Sequence, residues 1–182
     1  MSRIDEKRSF IPLNIAVLTV SDTRSQEDDR SGATLVGRLE EAGHHLADRC
    51  IVKDDVPAIQ DKVKGWIGSD GVDVVITTGG TGLTGRDVTP EALEALFEKR
   101  IDGFSTAFHM LSYEKIGTST VQSRATAGVA GGTYIFCLPG SPGACKDGWD
   151  GILKSQLDYR HMPCNFVEIM PRLDEHLQRT KN

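Results

Sequence analysis

The chain has 182 residues, 38% of them hydrophobic and 26% charged, a balance typical of one soluble globular domain and not of a disordered chain. The formal net charge of −5 argues against a nucleic-acid-binding protein, and the lack of a long apolar stretch argues against a membrane protein. The charged N-terminus and the scattered positions of the four cysteines predict a cytoplasmic protein with reduced thiols.

The first half of the chain predicts two strand–helix units. The apolar run Asn14–Val20 favours a buried strand, and a helix is predicted from about Ser31 to Gly43. The alternation in His45–Val52 predicts a second strand, after which Asp55 is predicted to cap a helix.

The second half continues this alternation around a glycine-rich loop. Residues 72–78 predict a central strand, and Thr89 and Pro90 predict the N-cap and first position of a helix. That helix is expected to reach about Glu98. The later predicted elements are a helix over 103–115, two strands within 126–138 joined at Gly131-Gly132, and a helix from near Ser141 to about Leu157. The polar tail 159–182 is expected to be partly extended, with packing on a neighbouring subunit left open. The repeated alternation predicts an α/β domain with a mostly parallel sheet and right-handed crossovers.

Three of the predicted strand ends carry residues suited to binding an anion. Ligands of open α/β sheets collect beyond the carboxyl ends of the strands, and two of these ends run into helix N-termini, where unpaired N–H groups attract anions. Glycines let backbone donors approach an oxyanion closely, and hydroxyl groups add neutral donors. The residues concerned are Ser21, Asp22, Thr78, Gly79, Gly80, Thr81, Gly82, Gly140 and Ser141. The pattern predicts a phosphate-binding site.

Two familiar glycine motifs nearly match this loop. Gly80, Gly82 and Gly85 have the spacing of the dinucleotide-binding fingerprint, but that motif needs its helix to open among the glycines, and the predicted helix begins later. A P-loop would continue with Lys and then Ser or Thr, where this chain has Arg86 and Asp87. Both motifs are therefore disfavoured.

Two acidic residues, Asp54 and Asp87, follow predicted strand ends. A carboxylate beside a phosphate site would repel the ligand unless Mg²⁺ lies between them or the carboxylate holds a substrate N–H. The pair indicates Mg²⁺-assisted phosphoryl or nucleotidyl transfer, while a role as turn and cap residues stays open. Arg124 either reaches a phosphate or forms an ion pair, and His161 with Cys164 either binds a metal or is structural.

Several segments resemble the MoaB/MogA family of molybdenum cofactor biosynthesis proteins. They are TTGGTGLTGRDVTPEAL, AVLTVSDTR, VKDDVPAI and LPGSPGAC, while STVQSRATAGVA and EEAGHH are more similar to the MoaB branch. The resemblance covers residues 10–166 and implies one molybdopterin-binding domain, a three-layer α/β/α sandwich with a mostly parallel central sheet, between terminal extensions 1–9 and 167–182. It also implies a homotrimer or a homohexamer of two trimers, and contact with other proteins of the pathway.

For function, the resemblance implies that the protein binds molybdopterin and adenylylates its terminal phosphate with ATP and Mg²⁺. A carrier that binds molybdopterin without turnover is the alternative. Asp54 and Asp87 match residues that are implied to be catalytic and to organise Mg²⁺. The residues implied to bind the ligands are Ser21, Asp22, Thr78, Gly79, Gly80, Thr81, Gly82, Arg86, Gly140 and Ser141. The chain departs from many relatives at Lys53, where they have proline, and at Ser141, where they read P-G-N-P.

Overall fold

The computed structural model describes residues 3–178 and has a six-stranded sheet at its centre. The strands of the described residues are β1 Arg3–Ile4, β2 Asn14–Val20, β3 His45–Val52, β4 Val74–Thr78, β5 Lys99–Arg100, β6 Thr126–Ala130, β7 Thr133–Leu138 and β8 His161–Met162. The central sheet has the order β3-β2-β4-β7-β6-β5. Strands β3, β2, β4 and β7 are parallel, whereas β6 and β5 pair antiparallel with their neighbours. The predicted mostly parallel sheet is confirmed.

Helices cover both faces of this sheet. They are α1 Arg30–Glu41, α2 Val56–Trp66, α3 Thr89–Glu94, α4 Asp102–Ile116, α5 Pro142–Gly148, α6 Lys154–Gln156, α7 Phe166–Ile169 and α8 Glu175–Gln178, with a 3-10 segment Gly117–Gln122 after α4 and a π-helical turn Trp149–Leu153 after α5. Ile15 and Val17 of β2 pack in one core with α1, α4 and α5, and Ala16 and Leu18 pack in the other with α2 and α3. A strand buried on both faces is apolar throughout, which explains the run in its sequence. The three-layer α/β/α architecture is confirmed.

The carboxyl ends of the four parallel strands meet at one edge of the sheet. In the strand register Val20 faces Val52, and Thr78 faces Leu138. The three loops predicted to bind an anion leave from this edge, so they lie beside one another. Open parallel sheets place their ligand sites at such an edge.

The helix after the glycine-rich loop is shorter than predicted. Its N-cap is Val88, whereas Thr89 is the first helical residue, and no side chain caps this end. The helix ends at Glu94 and not near Glu98. The chain turns away early because Lys99–Arg100 forms the edge strand β5 against β6. A strand of two charged residues has no apolar alternation, so sequence patterns did not predict it.

The tail packs on its own chain. Strand β8 is the extended part, and it pairs with β1. The short helices α7 and α8 follow, and the ring of Phe166 lies 4.9 Å from that of Tyr134 and 5.6 Å from that of Phe136. Residues 1–2 and 179–182 of the predicted terminal extensions lie outside the described residues. Among the helices that are described, none is long and apolar enough to span a membrane.

Candidate functional site

A cavity of about 210 Å³, called the edge cavity below, opens among the three loops at the carboxyl edge of the sheet. The predicted site residues in its lining are Ser21, Asp54, Thr78, Gly79, Gly80, Asp87 and Gly140. The remaining lining residues, which the sequence did not single out, are Thr19, Val20, Arg24 and Ser31. Five other predicted residues contribute to the surrounding loops and not to this lining: Asp22, Thr81, Gly82, Arg86 and Ser141.

Two glycines turn the chain at the end of β4. Gly79 and Gly80 have φ angles of 103° and 63°, and a β-carbon on Gly79 would lie 2.2 Å from the carbonyl oxygen of Val20. The Gly79 amide is not available to a ligand, because it donates to the Leu138 carbonyl at 3.1 Å. Among the hydrogen bonds of residues 3–178, none uses the amide of Gly80. Gly80 also lines the edge cavity, so its amide is the donor of this turn that is left for a ligand.

The rest of the glycine-rich loop folds around the carboxylate of Asp87. Its Oδ2 accepts hydrogen bonds from the amide of Thr84 at 2.9 Å and from the Thr84 hydroxyl at 2.6 Å. The hydroxyl bond is the main cause of the lowered pKa of Asp87, and the backbone amide of Gly82 contributes in the same direction. The Gly82 amide, which the sequence assigned to a ligand, therefore favours the ionised form of Asp87. An ionised carboxylate is fixed on the wall of the edge cavity.

Asp54 reaches the same cavity from the loop after β3. Burial raises the pKa of Asp54, and the charges of Asp22 and Asp87 raise it further. A backbone hydrogen bond from Asp22 and the charge of Arg86 act in the opposite direction but are outweighed. A β-carbon on Gly80 would come within 2.8 Å of Asp54 Oδ1, so the carboxylate lies close over the glycine turn. The cavity thus holds two carboxylates that repel each other.

Asp22 and Arg86, both predicted to bind a ligand, form a bidentate ion pair with each other. Arg86 Nε donates to Oδ2 of Asp22 at 2.9 Å and Nη2 donates to Oδ1 at 2.8 Å. The hydrogen bond from Arg86 is the main cause of the lowered pKa of Asp22. The Arg86 side chain is 63% exposed, so the pair adds little to stability. Its effect is to join the loop after β2 to the glycine-rich loop.

Arg124 fixes the glycine-rich loop from a neighbouring cavity. Its Nε donates to the carbonyl of Gly82 at 2.9 Å, and its Nη2 donates to the carbonyl of Asp87 at 2.8 Å. Its Nη1 pairs with the carboxylate of Glu91. The Arg124 amide also donates to the carbonyl of Thr81 at 3.2 Å. The sequence left a phosphate contact and an ion pair open for Arg124, and the structure shows the ion pair. The same side chain holds the backbone of Asp87 in place.

The loop after β7 closes the third side of the site. The hydroxyl of Thr78 donates to a carbonyl of this loop at 2.9 Å, and the hydroxyl of Ser31 donates to the carbonyl of Gly140 at 3.1 Å. The Ser141 hydroxyl accepts from the amide of Ala144 at 3.1 Å as the N-cap of α5. Ser141 therefore organises the helix start beside the cavity.

A buried carboxylate beside the cavity was not expected from the sequence. Asp29 is 2% exposed, although its neighbours Glu27 and Asp28 are exposed acids. It caps α1 by accepting from the amide of Gly32 at 2.8 Å, and it accepts from the hydroxyl of Thr19 at 2.8 Å. Arg49 Nη2 donates to the Asp29 carboxylate at 3.0 Å. The cap position is a local signal, but the partner Arg49 lies in β3 and could not be paired with Asp29 from the sequence.

No group of three or more His, Cys, Asp or Glu that could hold a metal ion occurs within the described part of the chain. His161, one half of the pair considered for a metal, is buried and belongs to the short strand β8, whereas Cys164 is exposed. This favours a structural role for the pair. Asp54 and Asp87 are two carboxylates, so a cation bound there would take its other ligands from substrate and water.

Comparisons with known proteins agree on one family. A family model described as a probable molybdopterin binding domain matches residues 16–159. Molybdenum cofactor biosynthesis protein B of Escherichia coli K12 is 55% identical over 157 residues, which cover 86% of this chain and 92% of that protein. The protein of the same name from Bacillus subtilis 168 is 50% identical over 131 residues, covering 71% of this chain and 77% of the relative.

Solved structures give the same answer. A crystal structure of a molybdenum cofactor biosynthesis protein B matches with a TM-score of 0.83 at 39% identity, covering 92% of this chain and 99% of the other. The tungsten cofactor synthesizing protein MoaB from Pyrococcus furiosus matches with a TM-score of 0.68 at 38% identity, covering 79% of this chain and 92% of the other.

Proposed function

The chain belongs to the molybdopterin-binding family of molybdenum cofactor biosynthesis proteins, and we propose that it adenylylates the terminal phosphate of molybdopterin with Mg-ATP. The observation that carries this proposal is that Asp54 and Asp87 line the same cavity as the open amide of Gly80. A backbone donor attracts a phosphate, and two carboxylates attract a cation. Their combination in one cavity suits metal-assisted transfer between phosphates better than it suits a neutral ligand.

The two carboxylates fit Mg²⁺ on electrostatic grounds. The raised pKa of Asp54 reports, after burial, repulsion by Asp22 and Asp87 that a cation would relieve. Mg²⁺ is commonly held by one or two carboxylates together with substrate phosphates. Asp54 and Asp87 would hold it, and when bound it would neutralise charge on the phosphates.

The reaction that we propose is an in-line transfer. An oxygen of the molybdopterin phosphate forms a bond to the α-phosphorus of ATP, the bond from that phosphorus to the bridging oxygen of the β-phosphate breaks, and the electron pair leaves with pyrophosphate. No general base is needed, because the attacking phosphate is already ionised. The chain supplies position: the Gly80 amide binds a phosphate oxygen, and the loop held by Thr84 and Arg124 keeps Asp87 in place.

A carrier that binds molybdopterin without turnover is the second candidate. The observation in its favour is that the Thr84 amide donates to Asp87 and is not open to a ligand. Fewer backbone donors are then left to stabilise charge in a transition state. The two candidates differ in whether Mg-ATP adds AMP to bound molybdopterin.

The deciding experiment compares the intact protein with Asp87→Asn. Asparagine keeps an oxygen that can accept from Thr84 but removes the charge, so the loop should remain folded. We expect AMP transfer and pyrophosphate release to fall at least about a hundredfold, with molybdopterin affinity nearly unchanged. Asp70→Asn, an exposed aspartate away from the cavity, is the matched control. Asp87→Ala should give the same loss.

Two outcomes contradict the proposal. Retained turnover in Asp87→Asn and Asp87→Ala, with normal molybdopterin binding, would remove Asp87 from the reaction. Molybdopterin binding by the intact protein without any AMP transfer would favour the carrier.

We further propose that the active form is a homotrimer or a hexamer of two trimers, and that it works in the cytoplasm with other proteins of the pathway. Assembly is supported by apolar side chains exposed on α4, among them Met110 at 65% and Tyr113 at 57% exposure. The four cysteines are free thiols, which is typical of a reducing compartment.

A further inference from the structure

A second cavity, of about 470 Å³, continues from the edge cavity along the end of β3. We call it the side cavity. The two cavities share Ser21 and Arg24 in their linings, so they form adjoining parts of one depression. The side cavity is completed by the loop after β2 and by the last residues of β3 up to Lys53. None of the described residues that line it is aromatic.

Two cations of the side cavity form no ion pair with a carboxylate within the described part of the chain. The ion pairs found among residues 3–178 include neither Arg24 nor Lys53, whereas Arg86 nearby is paired with Asp22. Arg24 lines both cavities and Lys53 lines the side cavity, so both cations border the depression. Asp22, the acid in the lining, is already neutralised by Arg86. The lining of the side cavity therefore carries a net positive charge, although the net charge of the whole chain is −5.

Ser21 adds a neutral donor where the two cavities join. Its hydroxyl oxygen accepts from the amides of Thr23 and Arg24, both at 3.3 Å. Among the hydrogen bonds of the described residues, the Ser21 hydroxyl donates none, so its hydrogen can rotate towards a ligand. A donor flanked by two cations is suited to phosphate oxygens.

We propose that the side cavity binds the β- and γ-phosphates of the nucleoside triphosphate and, after transfer, the pyrophosphate product, with Arg24 and Lys53 as its cationic ligands. This inference rests on the proposed function and specifies which part of the site receives the leaving group. In an in-line transfer the leaving group departs on the side opposite the nucleophile. A depression that continues from the edge cavity gives it a place, and the cations stabilise the charge that develops on it. The flat, largely uncharged pterin ring would gain little from two cations and no aromatic surface.

The test uses Arg24→Gln, Lys53→Gln and the double variant in the full chain, with Lys64→Gln on the exposed face of α2 as the control. Binding of Mg-pyrophosphate is measured by calorimetry, and KM for ATP, inhibition by AMP and molybdopterin affinity are measured alongside. We expect each single variant to weaken pyrophosphate binding about tenfold and the double variant more, with a parallel rise in KM for ATP. AMP lacks the β- and γ-phosphates, so its inhibition constant should not change, and Lys64→Gln should match the intact protein.

The outcomes separate this inference from the proposed function. Loss of pyrophosphate binding in the variants supports the side cavity even if the intact protein transfers no AMP, in which case only the proposed function fails. Unchanged pyrophosphate affinity and unchanged KM for ATP in the double variant overturn the inference while AMP transfer stands. Loss of molybdopterin affinity with normal pyrophosphate binding also overturns it, since the side cavity would then hold the pterin. No binding of pyrophosphate by the intact protein overturns it as well.

Discussion

Arg124 Nη2 donates to the carbonyl oxygen of Asp87 at 2.8 Å, so a side chain just before β6 fixes the backbone of the carboxylate proposed for catalysis. The same guanidinium holds Gly82 and pairs with Glu91. Arg124 itself lines a neighbouring cavity and not the edge cavity. Its effect on the reaction is therefore expected to pass through the loop.

Arg124→Gln is predicted to lower kcat for AMP transfer at least about tenfold, because charged hydrogen bonds to two loop carbonyls are lost. The Mg²⁺ concentration for half-maximal activity should rise, since Asp87 is no longer held in position. Arg124→Lys should recover part of the loss. Arg100→Gln, which lines the same neighbouring cavity but pairs with Glu94 and Asp102, is the control. If both glutamine variants have the same kinetics, Arg124 has no positioning role.

Gly80→Ala is predicted to abolish most AMP transfer and to lower the free energy of unfolding by about 1–3 kcal/mol. The φ of Gly80 is 63°, and the new β-carbon would lie 2.3 Å from Thr89 Oγ1 and 2.8 Å from Asp54 Oδ1. Gly85→Ala in the same loop meets nothing within 4 Å, so it should change both quantities little. Activity and urea unfolding measured on the two variants check this. Equal effects would mean that the turn at Gly80 is not specifically required.

The alternation of strands and helices was enough to predict the architecture, because each element has a strong local pattern. The run Asn14–Val20 is mainly apolar, and the structure confirms Asp55 as a helix cap. The helix predicted from near Ser141 begins there, with Ser141 as its N-cap. The early end of α3 could not be predicted, because it depends on the pairing of Lys99–Arg100 with β6. A strand of two residues is too short for its sequence to show a pattern that predicts strand pairing.

The sequence also predicted which residues meet at the site, but not the contacts of their polar groups. Glycine turns and acids at strand ends indicated which loops meet, and the structure brings Asp54, Gly80 and Asp87 to one cavity. What each polar group contacts was not predictable. The ion pair of Asp22 with Arg86 joins residues far apart in sequence. The sequence of the glycine-rich loop also does not show that the Thr84 amide donates to Asp87 of the same loop.

Assembly through α4 is predicted to be sensitive to charge. Met110 and Tyr113 are 65% and 57% exposed, so the double change to glutamate would place two charges on the face proposed to contact other subunits. We expect the solution mass, measured by light scattering after size exclusion, to fall from a trimer or hexamer to a monomer. Ile169→Glu changes an exposed apolar residue on α7 and should leave the mass unchanged. A persisting trimer in the α4 variant would exclude this face.

His44 is predicted to make the fold sensitive to acid. Burial lowers its pKa from 6.5 to about 4, and its Nδ1 accepts from the amide of Leu13 at 3.2 Å between the rings of Phe10 and Trp149. The folded state therefore binds a proton less readily than the unfolded state. The stabilisation is complete above pH 6.5 and is lost as the pH falls towards 4.

His44→Gln keeps an oxygen for Leu13 but does not titrate. Between about pH 7.5 and pH 4.5, the intact protein should lose about 2 kcal/mol more free energy of unfolding than this variant. Urea unfolding at both pH values gives the comparison. The same pH dependence in both proteins would show that His44 does not titrate with unfolding.

Asp29 is predicted to be the most costly carboxylate to remove. It is 2% exposed and accepts from Gly32, Thr19 and Arg49, so an alanine would leave the α1 cap, the hydroxyl of Thr19 and the guanidinium without their partner. Burial alone would raise the pKa of Asp29, but hydrogen bonds from these three partners outweigh it and lower the pKa below 3.8. The ionised group therefore stabilises the fold above that pH, and the stabilisation is lost as acid protonates it.

We expect Asp29→Ala to lower the free energy of unfolding by about 3–5 kcal/mol near neutral pH, the range for breaking a buried ion pair by removing one partner. Asp28 is the exposed neighbour, and its carboxylate accepts only from Ser25 among the bonds of the described residues, so Asp28→Ala should cost less than about 1 kcal/mol. Chemical unfolding of the two variants measures both values. Thr19 and Ser31 flank Asp29 and line the edge cavity, so the first variant should also bind molybdopterin more weakly. An equal loss of free energy of unfolding in the two variants would contradict this prediction. It would mean that the buried hydrogen bonds of Asp29 add no more stability than the exposed contacts of Asp28.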